Sequence, residues 1–315
     1  MKVIEGLAGL DELRLGRDQD DLAQHSVVSV GVFDGVHLGH QRLLHELLEM
    51  ASELRGVPTV ITFKNHPDAL LQGSAPPPIV SVPHRLRLLR RCGVARTLLL
   101  TFDNELRRTT PESFARRVLV LGLRTRGLLL GYDSALGKDR AGTPARFREL
   151  GAQLGFVVRE AAPFTVDGRA VSSTLIRTAI AAGDLDGAHR LLGRWPSAFG
   201  EVVRGEQRGR QIGFPTANVL PQSPVLPPHG VYAVQVLLGG DTHPGVANLG
   251  VRPTFGAGAP VLEVHLLDWQ GDLYGQVLEV CFLTRLRPER KFASVEELRE
   301  QIARDVASAR DLLRT

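Results

Sequence analysis

The sequence predicts two domains: an α/β domain with a mostly parallel sheet, then a smaller β-rich domain, a barrel or a sandwich, closed by one helix. Three observations predict this. The chain has 315 residues, well above the roughly 150 that serve as a prior for one domain. From Val27 to about Phe164 short apolar runs alternate with amphipathic stretches, whereas after Gly183 the segments become short, closely spaced and strand-like. Hydrophobic residues make up 43% and charged residues 23%, the mix of a soluble globular chain and not of a disordered or fibrous one.

In the first part, strands are expected at 27–32, 59–63, 97–102, 128–130 and 156–158. Residues 41–54 read as a helix with Leu43, Leu44, Leu47, Leu48 and Leu54 on one face. A second helix fits 111–121, because Thr110 can cap it and proline suits its first position. Four prolines make 74–83 a loop. In the second part, strands are expected at 200–203, 231–238, 261–267 and 277–282, with turn clusters at 227–230, 239–241 and 256–260 between them. A final helix covers 295–313: Ser294 and Glu297 have capping-box spacing, and Leu298, Ile302, Val306 and Leu313 form a stripe expected to be buried. The boundary falls near 183–195, giving domains 1–187 and 188–315.

Composition excludes several classes. No apolar run approaches the ~18 residues of a membrane span, and the first 15 residues carry Glu5, Asp11 and Glu12 where a signal peptide needs a continuous apolar stretch, so no membrane role and a cytoplasmic location are expected. Cys92 and Cys281 are too few for a disulfide scaffold and are expected to be small core residues. An isoelectric point near 9.4 invites a nucleic-acid partner, yet net charge is only +4. Those charges are mixed along the chain: 24 basic and 21 acidic side chains precede residue 188, and 14 and 13 follow. With only 5% aromatic residues there is no stacking platform either, so no nucleic acid is expected and any phosphate belongs to a small molecule.

The first chemical constellation is the run GVFDGVHLGH from Gly31 to His40, between a predicted strand and a predicted helix, where backbone N–H groups and the helix dipole favour phosphate. Gly31, Gly35 and Gly39 let the backbone turn sharply. His37 and His40 lie one helical turn apart and can both donate hydrogen bonds to charge building on a phosphoryl oxygen. On the residues alone, a capping role stays open, and so does metal binding, although no third ligand stands nearby.

These residues resemble the HxGH signature of nucleotidyltransferases, and the ten-residue form resembles bacterial FAD synthetase in particular. The likeness continues through Thr62–Pro67 (TFKNHP), Gly131–Asp133 with Gly137 and Lys138, and Val171–Arg177 (VSSTLIR). It implies a Rossmann-like nucleotidyltransferase domain in which His37 and His40 contact ATP phosphates. It further implies that Gly31, Phe33, Asp34, His66, Asp133, Ser173, Thr174 and Arg177 bind ATP or the flavin. The chemistry of the residues agrees: Ser172, Ser173 and Thr174 can cap a helix over 175–182, and Arg177 can fork onto a phosphate. The chain departs from the family at Ser134 and Leu136, where phenylalanine is usual, so the aromatic surface of that loop is absent. Lys138 is not a P-loop lysine, because Asp139 stands where serine or threonine is required.

The second constellation runs from Leu192 through Gly200, Gly205 and Gly209 to Gly213–Asn218 (GFPTAN). The glycines permit a loop folded closely over a nucleotide, Pro215 stiffens the approach, and Thr216 and Asn218 offer neutral oxygens that can complete a Mg²⁺ shell shared with phosphates. By itself the run also reads as a turn. Together with Gly230–Tyr232, Asn248–Phe255, Glu263–His265, Leu273–Gly275, Lys291 and Phe292, it resembles a riboflavin kinase module in order over nearly the whole remaining chain. That resemblance implies a six-stranded barrel, Thr216 and Asn218 attending the Mg–nucleotide, and Glu263 as the base. Strand alternation suits the role: Leu262, Val264 and Leu266 face one way, Val261, Glu263 and His265 the other, so Glu263 projects from a rigid element. On the residues alone Glu263 also fits a surface ion pair, and Arg252 and Arg287 are expected to be structural.

Taken together the resemblances imply a bifunctional enzyme. It would phosphorylate riboflavin with MgATP to FMN and ADP, then transfer AMP from a second ATP to FMN, giving FAD and pyrophosphate. Such transfers rest on positioning, a divalent metal and hydrogen-bond donors. A flavin-binding or flavin-sensing protein with one half inactive is the alternative from another class. An adenylyltransferase for another phosphate ester is a third.

Overall fold

The structure, a computed structural model, describes residues 1–14, 24–132, 134, 136–205, 209, 212–251 and 260–313. Its contacts form two compact units, one of Met1–Pro76 with Val82–Val171, the other of Pro77–Ser81 with Ser172–Thr315.

The first unit is built on a six-stranded sheet of β1 (Lys2–Glu5), β2 (Ser26–Val30), β3 (Val57–Phe63), β4 (Arg96–Leu100), β5 (Thr125–Gly131) and β6 (Val157–Ala161). Their spatial order is β1-β4-β3-β2-β5-β6 and every pair is parallel. The chain steps from β2 through β3 to β4 on one side, then returns to the other side of β2 with β5 and β6. The carboxyl end of β2 is thus the place where the order reverses, and open α/β sheets bind ligands in the crevice made there. Five of the six strands match expectation. β1 does not, because four residues carrying a lysine and a glutamate give no readable period; β1 pairs only with β4, at the sheet edge.

Val28, Val30, Ile61, Leu98, Leu128 and Leu130 bury one face of this sheet beneath Phe114, Leu119 and Phe147. The helix Leu38–Glu53 is expected from its leucines, and Leu44, Leu47, Met50 and Ala51 are its buried centre. Leu43, Leu48 and Leu54, placed on that face by the sequence, flank it half-buried. Gly127 lets the helix approach: a Cβ there would lie 2.6 Å from the Met50 Cε. The helix expected over 111–121 starts at Pro111 with Thr110 as its cap and continues in a wider π form from Ala115 to Gly122. A small antiparallel hairpin of β7 (Thr165–Val166) and β8 (Arg169–Ala170) follows β6.

The second unit opens with helices Ser173–Ala182 and Leu185–Leu192, followed by β9 (Ser197–Val203), β10 (Ala217–Pro221), β11 (Gly230–Leu238), β12 (Asp241–Val251), β13 (Pro260–Leu266) and β14 (Val277–Arg287). These close into an antiparallel barrel in the order β10-β13-β12-β11-β14-β9, which settles barrel against sandwich. Closure removes both sheet edges. Val219, Tyr232, Val234, Ala247, Leu249, Leu262, Val264 and Phe282 fill the interior. β10 and β12 were not expected as strands. β12 carries Pro244 and two glycines, which read locally as a turn, but nine consecutive pairings with β11 and seven with β13 hold it extended.

The helix Val295–Leu313 begins with the expected cap: the Glu297 N–H donates to the Ser294 Oγ at 3.1 Å, while the Glu297 carboxylate accepts the N–H of Ala293, one residue before the cap, at 3.0 Å. Its expected apolar stripe needs correction. Leu298, Ile302, Val306 and Leu313 are only half-buried, while Asp305 and Ala309 are the buried positions. The helix lies on the outer surface of β11 and β12, over a small cluster of Val231, Ala233 and Val246, so close approach favours alanine. Arg287 holds both Asp305 oxygens at 2.8–3.0 Å, the structural role expected of it. Cys281 is buried in β14, but Cys92 is only half-buried at the end of its helix, so the core assignment holds for one cysteine alone. Arg252 lies outside the described residues.

Candidate active sites

In the first unit, β2 ends at Val30 and the Gly31 N–H is caught by the Ile61 carbonyl at 3.0 Å. The chain then makes a turn with Phe33 at φ 52°, Gly35 at φ 77° and Val36 at φ 41°. A β-branched residue at positive φ is strained. Burial offsets the strain: Phe33 and Val36 are each 1% exposed. Gly31 eases this packing, since a Cβ there would stand 3.1 Å from the Phe33 ring and the ring would have to give by a few tenths of an ångström.

His37 caps the helix Leu38–Glu53, its Nδ1 accepting the His40 N–H at 3.3 Å. An accepting Nδ1 places the proton of the neutral ring on Nε2, which remains a donor. The two imidazoles stack with centroids 3.6 Å apart, and Phe33 packs 5.1 Å from His40. Capping and phosphate donation are therefore compatible roles for one side chain. Among the described residues there is no group of three or more His, Cys, Asp or Glu that could hold a metal ion.

A cleft of about 710 Å³ opens at the carboxyl ends of the strands, within the size range of small-molecule sites. Gly31, Phe63, His66, Phe102, Ser134 and Leu136 contribute to its wall. Phe63 and Phe102 meet edge to face at 5.8 Å, so aromatic surface does line the cleft, supplied by β3 and the end of β4, although Ser134 and Leu136 supply none. His66 accepts the Asp68 N–H at 3.2 Å through Nδ1. Lys138 also reaches this cleft and is largely exposed, 3.9 Å from the Asp139 carboxylate. Asp133 lies outside the described residues.

Sequence reasoning missed Arg85. It sits on the helix Val82–Arg91, only 6% exposed, and donates through Nη1 to the Val32 carbonyl at 2.8 Å and through Nη2 to the Phe63 carbonyl. Burial pulls the guanidinium below its ordinary range, and the neighbouring Asp34 carboxylate, itself 4% exposed, partly restores it.

Ser173, Thr174 and Arg177 belong, by their contacts, to the second unit. The helix starts at Ser173, two residues earlier than expected, and Ser172 alone is its cap, accepting the Leu175 N–H at 3.3 Å. Ser173 and Thr174 are its first two helical residues. Arg177 donates through Nε to the Pro77 carbonyl at 2.8 Å.

In the barrel, Asn218 on β10 lies directly across from Glu263 on β13, and Glu263 lies directly across from Asn248 on β12. Paired residues on neighbouring strands share a face. Since Ala217, Val219, Leu262, Val264, Ala247 and Leu249 point into the barrel, this polar row is on its outside. The alternation expected for β13 holds. His265 donates through Nδ1 to the Pro215 carbonyl at 2.8 Å and meets the Phe214 ring edge-on, fixing the approach to Thr216. Asn248 in turn donates to the Glu289 carboxylate at 3.1 Å, a partner the sequence did not reveal.

The glycines have specific work here. A Cβ on Gly205 would stand 2.6 Å from the Asn218 Cγ, and one on Gly209 would stand 3.2 Å from the Thr216 Oγ1. Gly213 has φ 88°, a left-handed conformation. Asn218 is 5% exposed, and its Oδ1 has no hydrogen-bond partner among the described residues. A buried amide oxygen left over in this way, two residues after Thr216 and across from a carboxylate, fits a hard cation such as Mg²⁺ whose other ligands come from phosphates. A second cleft of about 520 Å³ reaches Thr216 and is walled by Trp269, Asp272 and Tyr274, with the Arg204 guanidinium 5.7 Å from the Tyr274 ring centre.

Comparison with known proteins gives two family matches that together span most of the chain: the model for FAD synthetase covers residues 19–175 and that for riboflavin kinase covers residues 192–313. A Pseudomonas fluorescens protein named bifunctional riboflavin kinase/FMN adenylyltransferase is 44% identical, the alignment covering 91% of this chain and 92% of the relative. Its counterpart of the same name in Escherichia coli strain K12 is 39% identical over 99% and 97%. A crystal structure titled macrolide-efflux protein from Streptococcus pneumoniae superposes with TM-score 0.81 and 30% identity, covering 98% of this chain and 99% of that one. Among the described residues no helix is long and apolar enough to cross a membrane.

Proposed function

The chain belongs to the bifunctional riboflavin kinase/FMN adenylyltransferase family, and from that membership we propose how the work divides along the sequence. It is a transferase that phosphorylates riboflavin to FMN and adenylylates FMN to FAD. We assign adenylylation to residues 1–187 and phosphorylation to residues 188–315. The two family matches support this, since they stop at 175 and resume at 192.

In the kinase site, Glu263 accepts the proton of the riboflavin terminal hydroxyl as its oxygen attacks the γ-phosphorus of ATP and ADP leaves. Thr216 and Asn218 would hold Mg²⁺, which when bound offsets charge on the phosphates. Gly205, Gly209 and Gly213 let the loop backbone close over the nucleotide. In the adenylyltransferase site, a phosphate oxygen of FMN attacks the α-phosphorus of a second ATP and pyrophosphate leaves. An FMN phosphate is already ionised, so no base is required. His37 and His40 donate hydrogen bonds to the charge that develops, and the helix they begin adds its dipole. The flavin takes the cleft bounded by Gly31, Phe63, His66 and Phe102. Asp34 and Asp133 complete the nucleotide contacts in this assignment, and Phe33, packed against His40, supports the turn from beneath. ATP as the shared substrate supports the cytoplasm as the location.

The observation that carries the division is that Asn218 and Glu263 share one register row in the barrel, while His37 and His40 stack at the switch point of the sheet. The test is a pair of variants. Glu263→Gln should form no FMN from riboflavin yet convert supplied FMN to FAD, whereas His37→Ala with His40→Ala should stop at FMN. Loss of both activities in either folded variant contradicts the division.

A further inference from the structure

We infer that Arg85 is a positioning residue of the adenylyl-transfer site, holding the two loops that face the nucleotide in fixed relation to each other. This rests on the adenylyltransferase assignment of the first unit. Arg85 comes from a helix that contributes no residue to the expected motifs, yet its planar fork ends on the main chain of both catalytic loops. Nη1 reaches the Val32 carbonyl, one residue before the strained turn at Phe33, and Nη2 reaches the Phe63 carbonyl, just before the stretch from Lys64 to His66. The same Val32 carbonyl also accepts the Thr62 hydroxyl at 3.0 Å. Ends of β2 and β3 are thus tied together beyond the last bonds of the sheet ladder.

Two features make this arginine hard to replace. Its donors are spaced to bridge two carbonyls, whereas a lysine ammonium presents its donors from a single point. Its charge lies beside the buried Asp34 of the turn, so removing it leaves a carboxylate of low exposure without that compensation. His37 and His40 follow Val32 by five and eight residues, and transfer to the α-phosphorus depends on their donors standing where charge appears. A shift of about 1 Å in such groups costs about 100-fold in rate.

The experiment compares Arg85→Lys and Arg85→Met with the unaltered chain by FMN-to-FAD kinetics and by amide hydrogen exchange read by mass spectrometry. The expected result is a kcat for FAD formation about 100-fold lower in R85M, with R85K between it and the unaltered chain. Exchange should speed up in peptides covering 31–40 and 63–66 while peptides from β4 and β5 keep their protection. A kcat within about threefold of the unaltered chain in R85M overturns the inference, as does a loss of kcat that comes only with loss of protection throughout the sheet. If the unaltered chain makes no FAD from FMN, the functional assignment fails by itself, and exchange at 31–40 still decides whether Arg85 holds the turn.

Discussion

Gly205 stands where any side chain would displace the amide of Asn218, so its role is steric and local. Gly205→Ala should displace the Asn218 Oδ1 and raise the Mg²⁺ concentration needed for half-maximal riboflavin phosphorylation at least about tenfold, the scale of losing one well-placed ligand group. Initial rates over a Mg²⁺ titration check this, and an unchanged midpoint would count against Asn218 as a metal ligand. At this scale the sequence shows residues whose chemistry depends on spacing along the chain. His37 caps the helix on which His40 sits three residues later, and that short separation along the chain brings their rings together. Arg85 was invisible for the opposite reason. On the helix Val82–Arg91, with four other charged or imidazole side chains in ten residues, one more arginine reads as solvated. Only the carbonyls of Val32 and Phe63, 53 and 22 residues away in sequence, show that it is buried. Glu289 beside Asn248 is a similar case at 41 residues' separation.

The terminal helix shows what an element contributes beyond its own periodicity. Arg287 at the end of β14 clamps Asp305, whose side chain is 6% exposed, and Gln301 adds a further hydrogen bond to the same carboxylate at 2.8 Å. Arg287→Met leaves that carboxylate buried with only an amide for company, which should cost about 3 kcal/mol of stability. Urea unfolding followed by tryptophan fluorescence measures it cleanly, because the chain's two tryptophans, Trp195 and Trp269, both lie in the second unit. A change below about 0.5 kcal/mol would mean that the pair is effectively solvated. Elements with strong internal signals were legible: the capping box at Ser294 and the alternation of Leu262, Val264 and Leu266 gave a helix and a strand where they occur. β10 and β12 were not, because their extended form is imposed by neighbours. Asn218 occupies a strand only since β9 and β13 pair with it on both sides, and Pro244 is held in β12 by β11. Local propensity cannot report such long-range pairing.

Across the whole molecule, the change of texture near Gly183 separated a parallel sheet from a barrel, and each has its own core. Their connections explain why the first site was the easier to foresee: a switch point follows from strand order, and a glycine-rich run after β2 marks it. The two helices Ser173–Ala182 and Leu185–Leu192 join the barrel side by contact, a grouping that rests on tertiary packing and leaves no mark in composition. The isoelectric point near 9.4 was a poorer guide to partners than the net charge, since a chain at +4 with interspersed signs suits small phosphate esters. The central claim is that one chain carries both steps from riboflavin to FAD. Chromatography of riboflavin incubated with the protein, ATP and Mg²⁺ tests it most directly. FMN should rise first and then give way to FAD, with ADP and pyrophosphate released in step. FMN that accumulates without FAD, or riboflavin that stays unchanged, would contradict it.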